Sequence, residues 1–187
     1  MRRLSLLLAV AALALGGVAA AAGALPGTKT AADRVAWRAL LHWPKACEEV
    51  WQPGGPGAGV QLQRTATARR LVEVTCFFGP YQYSTMLYLL DAGRHVNGPL
   101  VLTTYIDPGS GKPTATHETI MLGVLSFEPR SGRLQLFDKA RGPGDCGIYT
   151  VASLVGTRLV TREVHARLAC TGKPPFDPAR WPKLRLP

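Results

Sequence analysis

The chain is poor in acidic residues, in aromatics and in the spacings that carry chemistry. It has 12 Asp and Glu against 22 Lys and Arg, and Phe, Trp and Tyr together make up 7% of the 187 residues. No C-x-x-C or H-x-x-x-H spacing occurs, which removes the usual zinc frameworks. No G-x-S-x-G elbow occurs, which removes the commonest exposed-serine hydrolase signature. Gly109-Ser110-Gly111-Lys112 glances at a phosphate-binding loop but fails it. Ile106 stands where the first glycine belongs, and Pro113 replaces the magnesium-holding Ser or Thr, leaving a turn. Beyond the first 24 residues no apolar run is long enough to span a bilayer. The sequence thus predicts neither cofactor nor metal, and no catalytic activity.

What is present begins with the pattern of a secretory signal peptide. Arg2 and Arg3 precede an apolar stretch, Leu4 to Leu15, and small residues follow to Ala22-Gly23-Ala24. Cleavage is expected before Leu25, with the bond after Ala20 as an alternative. The absence of a nearby cysteine argues against a lipid anchor, and no transmembrane anchor is expected after cleavage. The expected organisation is a signal peptide over 1–24 and a single domain over 25–187, periplasmic or secreted. Loss of Arg2 and Arg3 lowers the formal charge of +10 by two, so the exported domain stays strongly basic.

Cys47, Cys76, Cys146 and Cys170 are an even set in an oxidising compartment, so two disulfides are expected. Four cysteines allow three pairings. Local order favours Cys47–Cys76 and Cys146–Cys170, because a hairpin about Gly156-Thr157 would return Cys170 to Cys146.

Thr30 is a candidate N-cap for a helix to about Leu41. Ala32, Val35, Ala36, Ala39, Leu40 and Trp43 suggest its apolar stripe, with Asp33, Arg34 and Arg38 turned away. Pro44 ends it and can open a short turn through Cys47. Gln52 to Gly59 reads as a loop. Period-two strands are then expected at 60–65, 71–77, 81–90, 100–106, 119–127 and 134–138, followed by a closing hairpin, 149–155 with 158–168. The fold class is mainly β (α+β): an antiparallel meander, curved sheet or small sandwich with a short N-terminal helical cap.

The C-terminal third carries Phe127-Glu128-Pro129, then Ser131-Gly132-Arg133-Leu134, then Arg141-Gly142 and Gly144-Asp145-Cys146-Gly147. With Gly156, Cys170, Gly172, Trp181-Pro182 and an N-terminal Trp43-Pro44 before Cys47-Glu48, it resembles domain-of-unknown-function family 1176, bacterial secreted proteins. That resemblance implies an exported protein and a Cys146–Cys170 bridge. It implies no activity.

Candidate sites are few. The glycines around Asp145 could cradle an anion beside Arg141 or serve the turn before a bridged strand. Glu163 and His165 are neighbours on a wet strand face, and His117 adjoins Glu118; neither pair has a nucleophile nearby in sequence. The basic residues point further. Arg130, Arg133, Lys139 and Arg141 surround one hairpin and Arg158, Arg162 and Arg167 lie on the next, a distribution suited to an anionic cell-envelope component. Sparse aromatics among them make nucleic acid the poorest fit. The alternative partner is an acidic secreted hydrolase, which the protein would inhibit.

Overall fold

The computed structural model of the protein describes residues 24–51, 57–91, 96–107, 109, 111–173 and 176–186. The predicted signal peptide, apart from Ala24, and most of the predicted Gln52–Gly59 loop lie outside the described residues. Helix α1 (Ala31–Leu41) starts where the capping logic places it. The Asp33 amide donates to the Thr30 hydroxyl while the Asp33 carboxylate accepts the Thr30 amide, a reciprocal box. His42 closes it in a left-handed conformation (φ 52°), and Pro44 precedes α2 (Lys45–Glu49).

The predicted stripe holds only at its C-terminal end, where Leu40 packs against the core and Trp43 is buried, and fails along the rest of α1. Its buried residues are Arg34, Trp37 and Leu41, whereas Val35 is 70% exposed and Ala32, Ala36 and Ala39 face solvent. Trp37 is the largest apolar side chain on the helix and is fully buried, so its packing sets the rotation. Arg34 follows it inward because partners for its charge are waiting there.

Among the described residues ten strands follow: β1 (Val60–Arg64), β2 (Arg70–Phe78), β3 (Tyr83–Leu90), β4 (Val96–Asn97), β5 (Leu102–Ile106), β6 (Thr114–Glu118), β7 (Ile120–Glu128), β8 (Arg133–Lys139), β9 (Gly147–Val155) and β10 (Arg158–Arg167). The short β4 and the polar β6 were not expected. His117 and Glu118 close β6 rather than open a strand, and β6 needs no apolar face because it pairs only with β5. All pairings are antiparallel, in the order β1-β2-β3-β7-β8-β9-β10, with β4 on β3 and β5–β6 as a separate hairpin. This is a mainly β meander under a helical cap.

β7 belongs to two half-sheets. Ile120–Gly123 pairs with β3, and Val124–Glu128 pairs with β8. The change falls at Gly123, whose φ is +145° and where a Cβ would sit 2.7 Å from the Phe137 carbonyl oxygen. Only glycine fits that bend. The sheet therefore folds over, and Leu71, Leu87 and Leu89 of one half pack with Leu134, Leu136 and Ala152 of the other. On the opposite face of β2 and β3, Val72, Val74, Met86 and Tyr88 pack under Trp37, Leu41 and Trp43. β2 and β3 are thus buried on both sides.

The disulfides are Cys47–Cys76 and Cys146–Cys170, with Cα atoms 4.6 and 4.9 Å apart. The first ties α2 to β2. The second joins the entry of β9 to the segment after β10.

Candidate anion-binding face

The alternation of β8 and β9 decides where the predicted cations go. Arg133, Gln135, Phe137 and Lys139 share one face of β8, opposite Leu134 and Leu136 in the core. Register carries that face across the sheet: Arg133 lies opposite Ser153, Phe137 opposite Tyr149, and Tyr149 in turn opposite His165. Val155, on the same face of β9, lies opposite Arg158, and Arg162 sits at the bulge between Thr161 and Glu163. Arg162 Nε donates to Ser153 Oγ at 3.3 Å. Arg133, on the neighbouring β8, stands opposite the same half-buried Ser153 in the register. Among the described residues neither arginine makes an ion pair. Arg130 is exposed on the β7–β8 turn at the end of this face, and Lys139 Nζ lies 5.9 Å from the Phe137 ring centroid.

Arg141 stands apart from this set. Its Nε and one terminal nitrogen donate to the two oxygens of Asp145 at 2.8 and 2.6 Å, and the Gly172 amide donates to the same carboxylate at 2.6 Å. Asp145 is fully buried, and the Arg141 guanidinium holds its carboxyl well below the usual carboxylate range. The anion in the glycine-rich turn is the chain's own aspartate, so the turn is built for structure. Replacing Arg141 by Ala should lower the melting temperature more than replacing Arg133 or Arg162, because it strands a buried carboxylate. The folded pKa of Asp145 lies below its ordinary 3.8, so its stabilisation is present above pH 3.8 and is lost as pH falls through the folded value. Melts of the wild type against pH should show that loss, and the R141A variant should show less of it.

Glu163 and His165 are placed differently from the wet face expected of them. The tail crosses β10: Ala166 donates its amide to the Pro182 carbonyl, and Leu184 donates to that of Val164. His165 is consequently buried, its Nδ1 2.9 Å from the Trp181 carbonyl oxygen and its Nε2 3.1 Å from Glu163 Oε2. Lys183 Nζ lies 3.4 Å from the other oxygen of Glu163. These groups fasten the tail, and the hydroxyl of Tyr149, whose ring lies 6.2 Å from that of His165, donates to Gln135 at 2.7 Å. His117 Nδ1 is engaged by Thr103 Oγ1 at 2.9 Å. Among the described residues no cluster of three His, Cys, Asp or Glu groups could hold a metal, and no helix is long and apolar enough to cross a membrane.

Residues 26–185 match the family described as protein of unknown function (DUF1176). The chain belongs to this family. The match runs from just before α1 to the last described residues of the tail, so helical cap, folded sheet and basic face all lie within it. No curated protein and no solved structure matches the chain.

Sequence reasoning missed two groups. Arg34 was read as solvent-facing because it is charged and its partners are distant in sequence. Glu73 carried a readable signal: a lone acid among Leu71, Val72, Val74 and Thr75 on a strand covered from both sides.

Proposed function

We propose that the protein is exported by its N-terminal signal sequence and acts in the cell envelope or outside it as a binding module without catalytic activity. Its partner is anionic, carrying phosphate, sulfate or carboxylate groups, and is met by the β8–β10 face. The carrying observation is that Arg162 bonds Ser153, that Arg133 stands opposite the same residue in the register, and that neither arginine has a carboxylate partner among the described residues. A guanidinium presents a planar fork suited to such oxyanions, and the Ser153 hydroxyl, which accepts from Arg162, can itself donate a further bond. Arg130, Lys139 and Arg158 extend the positive potential along the same face. The two disulfides and the strongly basic composition support an oxidising compartment rich in surface polyanions.

The probe is long-chain polyphosphate, titrated at several salt concentrations. Affinity should fall linearly on a log–log plot, and an R133A/R162A variant should bind at least about tenfold more weakly with a slope smaller by about two. Its melting temperature should stay near that of the wild type, since neither guanidinium holds a buried anion. Binding that ignores salt, or that survives in the double variant, would refute this reading.

A further inference from the structure

Where β7 parts from β3 at Gly123, the two half-sheets leave a cleft of about 850 Å³ between them. One wall is four consecutive residues of β7, Val124 to Phe127. Successive side chains of a strand point to opposite faces, so a wall made of consecutive residues presents the strand's edge. β8 pairs with the other edge over Val124–Glu128, and among the described residues no strand pairs with the edge that faces the cleft. The facing wall comes from β1 and β2, where Gln61 lies opposite Glu73 in the register and Thr75 follows on the same face. Phe78 and Tyr83, 5.0 Å apart edge to face, stand at the end near Gly123. The other end is closed by the Ala66 amide donating to the Pro129 carbonyl at 3.1 Å.

Glu73 is the anomaly in this wall. Its half-buried carboxylate has no hydrogen-bond donor and no cation among the described residues, and burial pushes its pKa up with nothing opposing. The only lysine at the rim is Lys29. A charge desolvated without a partner weakens the fold that carries it. We infer that this cleft binds an extended peptide segment that pairs as a strand with the open edge of β7 and sets a lysine or arginine side chain against Glu73. Main-chain bonds to the edge supply affinity, and the carboxylate supplies the choice of side chain, as in other strand-addition sites. The basic face described above plays no part here, so the two readings stand or fall separately.

The test uses the purified full chain and a blocked pentapeptide, acetyl-Thr-Val-Lys-Val-Thr-amide, with two twins. One twin carries norleucine in place of lysine, and the other is N-methylated at alternate amides. Trp51, whose ring lies 5.5 Å from that of Phe78, gives the fluorescence signal. The lysine peptide should bind about tenfold more tightly than the norleucine twin, and the N-methylated twin should not bind. Glu73→Gln should erase the lysine preference while leaving the norleucine twin's affinity unchanged.

The same variant has a second readout. The folded pKa of Glu73 lies above its unfolded value of 4.5, so the wild type loses stability as pH rises through that interval. E73Q should therefore melt higher than wild type at neutral pH, with the gap closing once pH falls below 4.5. A stabilising change that removes a binding preference is the mark of a group kept for its ligand. Equal affinity for lysine and norleucine peptides overturns the inference, as does unchanged binding after N-methylation. No binding at millimolar peptide, or tighter binding of a glucosamine tetramer than of the peptide, also overturns it.

Discussion

An Arg34→Ala variant should lose about 3–5 kcal/mol of folding stability, the cost of leaving one partner of a buried ion pair alone. For a domain of this size that lowers the melting temperature by roughly 10 °C. Arg34 is only 3% exposed, yet its guanidinium is almost fully engaged. One terminal nitrogen donates to the carbonyls of Ala58 (3.0 Å) and Thr75 (3.2 Å), and the other meets Glu48 Oε1 at 2.7 Å. The plane stacks 3.9 Å from the Trp51 ring centroid, with Trp43 at 5.1 Å on another side. Alanine takes away the cation paired with Glu48 and leaves that carboxylate the Trp43 indole N–H, unpairs two carbonyls and opens a void beneath two indoles. Lysine keeps the charge but has no fork to reach both carbonyls and Glu48, so R34K should recover only part of the loss. Urea unfolding followed by tryptophan fluorescence gives the numbers. A loss under about 1 kcal/mol in R34A would mean that the cap is held by apolar packing alone.

Converting Cys146 and Cys170 to serine should cost about 3–4 kcal/mol in the chain-entropy account, given a sequence separation of 24. The effect should be concentrated in the tail. Asp145 adjoins Cys146 and accepts the amide of Gly172, two residues beyond Cys170, so the bridge and the carboxylate hold the same junction. Further along, Trp181 is buried with its ring centroid 5.4 Å from that of Phe137. Hydrogen exchange should therefore show protection lost at Ala166 and Leu184, whose amides bind the tail to β10, before it is lost in β2 or β3. Uniform loss across the sheet would contradict this placement. Removing Cys47–Cys76, with a separation of 29, has a similar entropic cost but should couple with Arg34, whose terminal nitrogen lies 4.0 Å from Cys47 Sγ.

The strands were legible because alternation and turn residues agree along most of the chain. Asp107 to Gly111, Pro129 to Gly132 and Gly156-Thr157 each mark a real reversal. The Cys146–Cys170 bridge followed from the order of elements, since a hairpin returns its ends to one place, and Cys47–Cys76 was then the pair left to tie the helical cap to the sheet. The reading failed where a single large or charged side chain outweighed the pattern. Trp37 turned α1 against its alanines, and Arg34 entered the core because Glu48 and two carbonyls outbid water for it. His165 looked exposed because the strand that covers its edge is a proline-rich tail with no strand pattern of its own. Of the predicted cations, Arg133 and Arg162 were placed on the two strands that border Ser153 by a register across three strands, which no local pattern reveals. Arg141 was separated from them by an aspartate only four residues away, with which it pairs instead.

The bridges join the first cysteine to the second and the third to the fourth. Under the proposed export, a chain crossing the membrane N-terminus first presents its thiols in that same order. When Cys76 appears, Cys47 is the only thiol available to it, and that bond is native. When Cys146 appears it has no partner until Cys170 follows. An oxidase that simply couples each new thiol to the last unpaired one therefore makes no wrong bond, and slow thiol–disulfide reshuffling is not required.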